Sequence, residues 1–370
     1  MTQTAAGITS LIQPHLSQLT PYQAGKPLEE LARELGLTDA IKLASNENPL
    51  GPSPRALAAI QAEITNLHRY PDSHAYYLKE DLSRHLGIQP AQLILGNGSD
   101  EILDLLVRVL VSPGDEVVST AHTFLMYGLL TQAVGGVFRP ASLKDLRVDL
   151  TAVAQAVTPK TKLILLNNPN NPTGAVFYRA EWEAFLAAVP PTVTVVLDEA
   201  YIEFADDPEV PDGLAYLAED RLLVGLRTFS KAYGLAGLRI GYGYGPSELM
   251  ELLNRLRLPF NVNRLAQVGA RAALGDTDFL ERTQKLVWEG RDYLCRELTR
   301  LGLRFAPTQA NFILIRVNRP GREVYEAMLR EGVIIRAMDA YDFPDCIRIN
   351  VGLPVENERF LQAFKKVLGL

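Results

Sequence analysis

Four places in this sequence hold residues whose types and spacing could do chemistry. The run Gly96-Asn97-Gly98-Ser99-Asp100 follows an apolar stretch and leads into a helical one. Its two glycines let the backbone approach a ligand, and a helix start offers unpaired N–H groups and a positive dipole end. That suits a phosphate, although a tight turn with Asn97 or Ser99 as N-cap would read the same way. The segment NNPNNPTG, residues 167–174, makes a tightly specified turn. Its amides could donate to a carboxylate or a phenolate oxygen, or simply hold the turn.

Asp198-Glu199-Ala200-Tyr201 closes a third apolar run. A carboxylate there is costly to desolvate unless it meets a positive charge, such as a protonated ring nitrogen. Tyr201, three residues on, could donate to the same ligand. The fourth place is Thr228-Phe229-Ser230-Lys231. A lysine desolvated at the mouth of a sheet becomes an imine-forming nucleophile. Arg239, read as the start of the next strand, calls for an anionic partner. Each feature alone has an ordinary structural explanation. Together they make a phosphate cradle, a carboxylate for a ring nitrogen, donors for a phenolate and an imine-forming lysine, which describes a pyridoxal phosphate site. A dinucleotide fingerprint is absent. Residues 96–101 read G-x-G-x-x-E, and Gly241-Tyr242-Gly243-Tyr244-Gly245 reads as a strand with small residues.

Such residues need a scaffold that brings strand ends together. Candidate strands are Leu93–Leu95, Glu116–Ser119, Leu163–Leu166, Val193–Leu197, Leu222–Leu226 and Leu238–Gly243. They are continuous apolar runs, as expected of strands buried on both faces. Between them Asp100–Val111, Leu125–Val134, Arg179–Val189 and Ser247–Leu258 read as helices. Strands separated by helices predict an α/β fold with a mostly parallel sheet and helices on both faces. Ligands then bind outside the carboxyl ends of the strands, where the four places lie. The rhythm changes after about residue 260. A helical stretch Leu265–Leu301, a strand Asn311–Val317, a helix Glu323–Glu331, strands Gly332–Arg336 and Cys346–Val351 and a helix Glu356–Leu368 predict a smaller α+β unit. The expected division is an N-terminal arm over 1–40, a large domain over 41–262 and a small domain over 263–370. Within the arm Leu28–Leu35 reads as a short helix, and SNENPLGPSP (45–54) as a loop.

Composition narrows the partners. The 370 residues carry 37 basic and 43 acidic side chains, net −6, so no basic excess exists to neutralise a nucleic acid backbone. No run approaches the ~20 consecutive apolar residues of a membrane span. The N-terminus lacks a basic region followed by an apolar core, so it does not read as a secretory signal. Cys295 and Cys346 are too far apart in sequence to form a CxxC and read as reduced thiols. A cytoplasmic location is expected.

The sequence resembles the fold-type I PLP aminotransferases. TFSKAYGLAGLRIGY (228–242) looks like their Schiff-base lysine segment, and NPNNPTG (168–174) and DEAY (198–201) match their other motifs in order and spacing. It is most similar to the histidinol-phosphate aminotransferase family, through LTPYQAGKP (19–27), KLASNENPLGPSP (42–54), RYPD (69–72), GNGSDE (96–101), TFLMY (123–127) and CIRINVG (346–352). The resemblance spans about residues 19 to 365. It implies PLP fold type I, with a large domain built on a mostly parallel, seven-stranded-type sheet and a smaller α+β domain.

The resemblance also implies roles. Lys231 would form the internal aldimine and later shuttle the proton. Asp198 would pair with the pyridine nitrogen, Tyr201 and Asn171 with the phenolate oxygen, and Phe124 would stack on the ring. Backbone N–H groups at Ser99 and Asp100, with Thr228, Ser230 and Arg239, would hold the phosphate. Tyr70 would reach the phosphate in a neighbouring subunit, which implies a homodimer. Arg348 would meet the anionic group of the substrate, and Tyr22 and Arg336 the phosphate of histidinol phosphate. The chain departs from the family at His122 and Phe124, where Pro and Tyr are usual. Stacking survives and a hydroxyl is lost, while His122 reads as a packing residue. The implied reaction is ping-pong transamination of L-histidinol phosphate with 2-oxoglutarate in histidine biosynthesis. Alternatives are an aromatic amino-acid aminotransferase, a PLP-dependent phosphothreonine decarboxylase and a non-enzymatic PLP-fold regulator. The last would need a DNA-binding segment, and Lys231 speaks against it.

Overall fold

Seven strands form the main sheet of the computed structural model, which describes residues 11–23, 25–37 and 39–370. Residues 1–10 of the expected arm, and with them half of the stretch read for a secretory signal, lie outside the described residues. In spatial order the strands are Leu93–Gly96, Gly241–Tyr244, Leu223–Thr228, Thr194–Asp198, Thr161–Asn167, Glu116–Thr120 and Val137–Ala141. Gly241–Tyr244 runs antiparallel to both neighbours, and every other pair is parallel. The expected α/β class and sheet are therefore present, with one reversed strand.

The apolar runs are buried on both faces because alternate residues point opposite ways. Leu163, Leu165, Val196 and Leu226 meet Ile102, Leu106 and Leu253 from the helices Ser99–Leu110 and Ser247–Leu256 on one face. Ile164, Leu166, Val195 and Leu197 meet Phe177, Trp182 and Phe185 on the other, where the helix Arg179–Ala188 lies. Each fully buried Leu or Ile contributes roughly 1.5–3 kcal/mol relative to exposure, so this register is strongly fixed.

A second sheet has four antiparallel strands in the order Arg304–Phe305, Phe312–Arg316, Cys346–Asn350 and Arg336–Ala337. Ile313, Ile315, Ile347 and Ile349 pack on Leu294 and Leu298 of the helix Thr277–Arg300 and on Phe360 and Phe364 of the helix Pro354–Leu368. Ile41–Lys42 pairs in parallel with Val333–Ile334. The chain thus touches this unit before it crosses to the large sheet. Leu28–Leu35 is a helix as expected, and 45–53 is an ordered loop that ends where Ser53 caps the helix Pro54–Glu63. No helix among the described residues is long and apolar enough to cross a membrane.

Several boundaries differ from expectation for identifiable reasons. The stretch Leu265–Leu301 is two helices, Arg264–Leu274 and Thr277–Arg300. Gly275 and Asp276 break it, and the Asp276 carboxylate accepts a 2.5 Å hydrogen bond from Ser53 Oγ. The run Gly332–Arg336 divides into Val333–Ile334 and Arg336–Ala337, which belong to different sheets. The edge strand Val137–Ala141 escaped notice because it is largely solvated and carries Pro140, which only an edge tolerates. The strand expected over Leu238–Gly243 begins at Gly241. Residues Ala236–Leu238 form a 3₁₀ turn, and Arg239 has φ +54°. Arg239 therefore precedes the strand rather than starting it.

Candidate active site

The carboxyl ends of the parallel strands converge on one cavity of about 240 Å3. Asp198 ends the central strand and is paired in register with Asn167. Thr228 ends the next strand, opposite Gly241, which in turn pairs with Gly96. Because the Gly241 strand is reversed, its first residue lies at the same edge as the last residues of its neighbours. Thirteen residues singled out from sequence line the cavity: Tyr22, Ser99, Asp100, Phe124, Asn171, Asp198, Tyr201, Thr228, Ser230, Lys231, Arg239, Arg336 and Arg348. Tyr70 does not. It is 77% exposed and stacks on Phe260, with ring centroids 4.5 Å apart.

The helix start Ser99–Leu110 faces the cavity, but neither Asn97 nor Ser99 caps it. Gly98 holds the N-cap position with φ +78°, and Glu101 reaches back to accept the Asn97 N–H at 2.5 Å. A Cβ on Gly98 would stand 2.5 Å from Arg239 Nη2, and one on Gly241 would stand 2.5 Å from the Ser99 nitrogen. The glycines thus make room for Arg239 and for the free N–H groups beside Ser230 Oγ, which lies 3.4 Å from Arg239 Nη1. One guanidinium, one hydroxyl and a helix N-terminus form a cradle for a phosphate.

Asp198 is 5% exposed. Among the described residues no cationic side chain pairs with it. Its oxygens accept the Ala200 N–H at 3.1 Å and the Tyr127 hydroxyl at 2.9 Å. Burial raises its pKa to about 6, against the effect of those hydrogen bonds. A buried carboxylate left this way is the partner a protonated ring nitrogen needs. Lys231 is part-buried, and its Nζ donates to the Ser45 carbonyl at 3.1 Å. Desolvation, with Arg348 next in effect, lowers its pKa to about 8. Roughly a tenth to a fifth of the amine is thus neutral between pH 7 and 7.4, far more than for an ordinary lysine, which favours nucleophilic attack on an aldehyde.

Asn171 is placed by its neighbours. Asn168 and Asn170 close the turn, through Phe177 and Thr173 respectively. That leaves Asn171 facing the cavity. Arg348 Nη1 donates to its Oδ1 at 2.5 Å, so its amide N–H groups remain for a ligand. Arg348 is buried, and among the described residues its Nε has no partner. Tyr201 accepts the Asn46 amide at 3.0 Å, and burial keeps its phenol protonated. Arg336 Nη2 donates to the Gln23 carbonyl, and its guanidinium lies 5.8 Å from the Tyr22 ring centroid. The arm and the small sheet therefore meet over the cavity mouth. His122 stacks on Phe343 and lies 2.7 Å from the Tyr341 carbonyl, a packing role as read from sequence.

The cradle, the unpaired buried carboxylate and the low-pKa lysine together fit pyridoxal phosphate. Comparison with known proteins decides the family. The aminotransferase class I and II family matches residues 38–364.

The chain belongs to the class I and II aminotransferases.

This aminotransferase is 48% identical to a Pseudomonas aeruginosa protein named histidinol-phosphate aminotransferase 2, over 97% of this chain and 98% of that one. It is 47% identical to the protein of the same name from Hydrogenovibrio crunogenus, over 96% of each. A crystal structure of histidinol-phosphate aminotransferase from Sinorhizobium meliloti in complex with pyridoxal-5'-phosphate superposes with a TM-score of 0.90 at 31% identity, over 97% of this chain and 98% of that one. The sequence reading assigned no role to Ser45, Asn46 and Tyr341, which line the cavity, or to Tyr127, which donates to Asp198. Ser45 and Asn46 sit in the Pro-rich loop, and Tyr127 lies three residues beyond Phe124.

Proposed function

We propose that this aminotransferase moves an amino group between L-histidinol phosphate and 2-oxoglutarate, through pyridoxal phosphate held in the cavity. The observation that carries the cofactor assignment is Asp198, a buried carboxylate that pairs with no cationic side chain among the described residues. The phosphorylated donor is supported by Arg336, Tyr22 and Arg348, which line the cavity, and by relatives named for that substrate.

When bound, pyridoxal phosphate supplies an aldehyde carbon and a cationic ring that withdraws electrons from the substrate's α-carbon. Asp198 holds the proton at the ring nitrogen. Tyr201 and Asn171 donate to the phenolate oxygen, and Phe124 covers one ring face. The backbone N–H groups of Ser99 and Asp100, with Thr228, Ser230 and Arg239, bind the phosphate. Lys231 Nζ would take the proton from the substrate's α-carbon. Arg348 orients the anionic group of each substrate, so both half-reactions share one pocket and the kinetics are ping-pong.

The exposed Tyr70–Phe260 stack supports a homodimer in which Tyr70 reaches the partner's phosphate site. Leu258, Tyr76 and Tyr77 are exposed as well. We retain the division into arm (1–40), large domain (41–262) and small domain (263–370), and a cytoplasmic location.

Visible absorption tests the central reading. The purified protein should be yellow with cofactor on Lys231, and titration with L-histidinol phosphate alone should bleach it. Colour that ignores this donor but bleaches with phenylalanine would move the assignment to aromatic amino acids. Arg336→Ala should raise the KM for histidinol phosphate by roughly 10- to 100-fold, the worth of a charge-assisted contact, with a smaller effect on 2-oxoglutarate. Unchanged turnover at low donor concentration would remove Arg336 from the substrate site.

A further inference from the structure

Tyr127 was given no role from sequence, yet it makes the one side-chain hydrogen bond to Asp198 among the described residues. It stands in the first turn of the helix Met126–Ala133, fully buried. Its hydroxyl donates to Asp198 Oδ2 at 2.9 Å. Its ring meets Phe124 edge-on, with centroids 5.7 Å apart and planes at 87°. A phenylalanine would fill the same space without burying a hydroxyl, and a buried hydroxyl is costly unless paired. The pairing found here is with a carboxylate, the stronger kind of acceptor.

Burial pushes Asp198 toward its neutral form, and the Tyr127 hydrogen bond is the largest influence opposing that. Burial and the nearby carboxylate hold the phenol itself protonated, so it stays a donor. Asp198 Oδ1 is held by the Ala200 N–H and Oδ2 by Tyr127. The carboxylate plane is therefore pinned from two sides, and its remaining lone pairs are aimed by those two contacts.

We propose that Tyr127 is a positioning residue for transamination: its hydroxyl keeps Asp198 ionised and oriented toward the ring nitrogen, while its ring braces Phe124 against the ring face. The proposal rests on the pyridoxal phosphate reading above. It makes Tyr127 act through Asp198, so the two residues must be coupled energetically.

The test compares wild type, Tyr127→Phe, Asp198→Asn and the double variant. Each is loaded with pyridoxal phosphate labelled with 15N in the ring. Wild type should show a protonated ring nitrogen by its 15N shift. Tyr127→Phe should move that shift toward the unprotonated position, weaken cofactor binding about tenfold and lower kcat with little change in KM. Asp198→Asn should already show the unprotonated shift, and adding Tyr127→Phe should change it no further. An unaltered shift in Tyr127→Phe, or an equal loss of affinity on both backgrounds, would reduce Tyr127 to packing and overturn the proposal. A wild-type protein that binds no cofactor would instead overturn the cofactor reading, so the two failures are distinct.

Discussion

Lys231→Ala is expected to cut transamination by about 10^4-fold or more, since it removes both the covalent partner of the cofactor and the proton carrier. Lys231 follows the strand Leu223–Thr228 in a turn, and its Nζ is held by the Ser45 carbonyl rather than by a carboxylate. A carboxylate partner would keep the amine charged, whereas a carbonyl acceptor leaves it able to lose its proton. Desolvation lowers its pKa to about 8, and Arg348 adds to that by repulsion. Lys231→Arg should be as inactive as the alanine variant, because a guanidinium keeps the charge but is neither nucleophile nor base near neutral pH. The alanine variant should still hold pyridoxal phosphate through the Arg239 and Ser230 cradle, without the lysine-bound chromophore. A small primary amine such as methylamine should restore part of the rate to Lys231→Ala, since the missing function is an amine. Single-turnover rates with and without the added amine check this. A Lys231→Ala enzyme within tenfold of wild type would place the reactive amine elsewhere.

The residues most legible in the sequence were those at strand ends. A continuous apolar run that stops at Asp198, or leads into the turn holding Lys231, marks the element, and the carboxylate and the lysine mark chemistry when read together with the phosphate cradle and the amide donors. Arg239 was legible as an anion partner but not in its conformation. Its φ of +54° belongs to a 3₁₀ turn that no hydrophobic pattern reports. The helices Pro54–Glu63 and Tyr76–Leu86 went unnoticed beside proline-rich and polar loops. Asn46 was illegible for a different reason. Its partners, Asn350 and Asn311, stand far along the chain, and only folding brings their amides onto the 45–53 loop. The cavity is thus a large-sheet site closed by groups from the small sheet, and sequence spacing cannot show that closure.

The same physics that makes Asp198 useful makes it a liability, and Asp198→Asn separates the two. The variant is expected to lose most activity, because a neutral amide cannot hold a proton at the ring nitrogen. A loss of about 10^2- to 10^4-fold matches the range for a group that controls protonation in the transition state. The cofactor-free variant is nevertheless expected to be more stable than cofactor-free wild type at neutral pH. The folded pKa of Asp198 is raised from 3.8 to about 6. Between those values the folded protein binds the proton that the unfolded chain has released, so stability falls as pH rises through about 4 to 6. Above that window the full cost applies, on the order of 3 kcal/mol for a shift of this size. Asparagine fills the same volume, can still accept the Tyr127 hydroxyl and carries no charge to desolvate. Denaturant unfolding of both cofactor-free proteins at pH 4 and pH 7 measures the difference. The expected gap is small at pH 4 and large at pH 7, in favour of the variant. Added pyridoxal phosphate should reverse the order, because only the carboxylate gains a cationic partner when the site fills. A variant less stable than wild type at pH 7 without cofactor would mean that Asp198 already has its positive charge within the protein, and the argument for a ring nitrogen as its missing partner would fail.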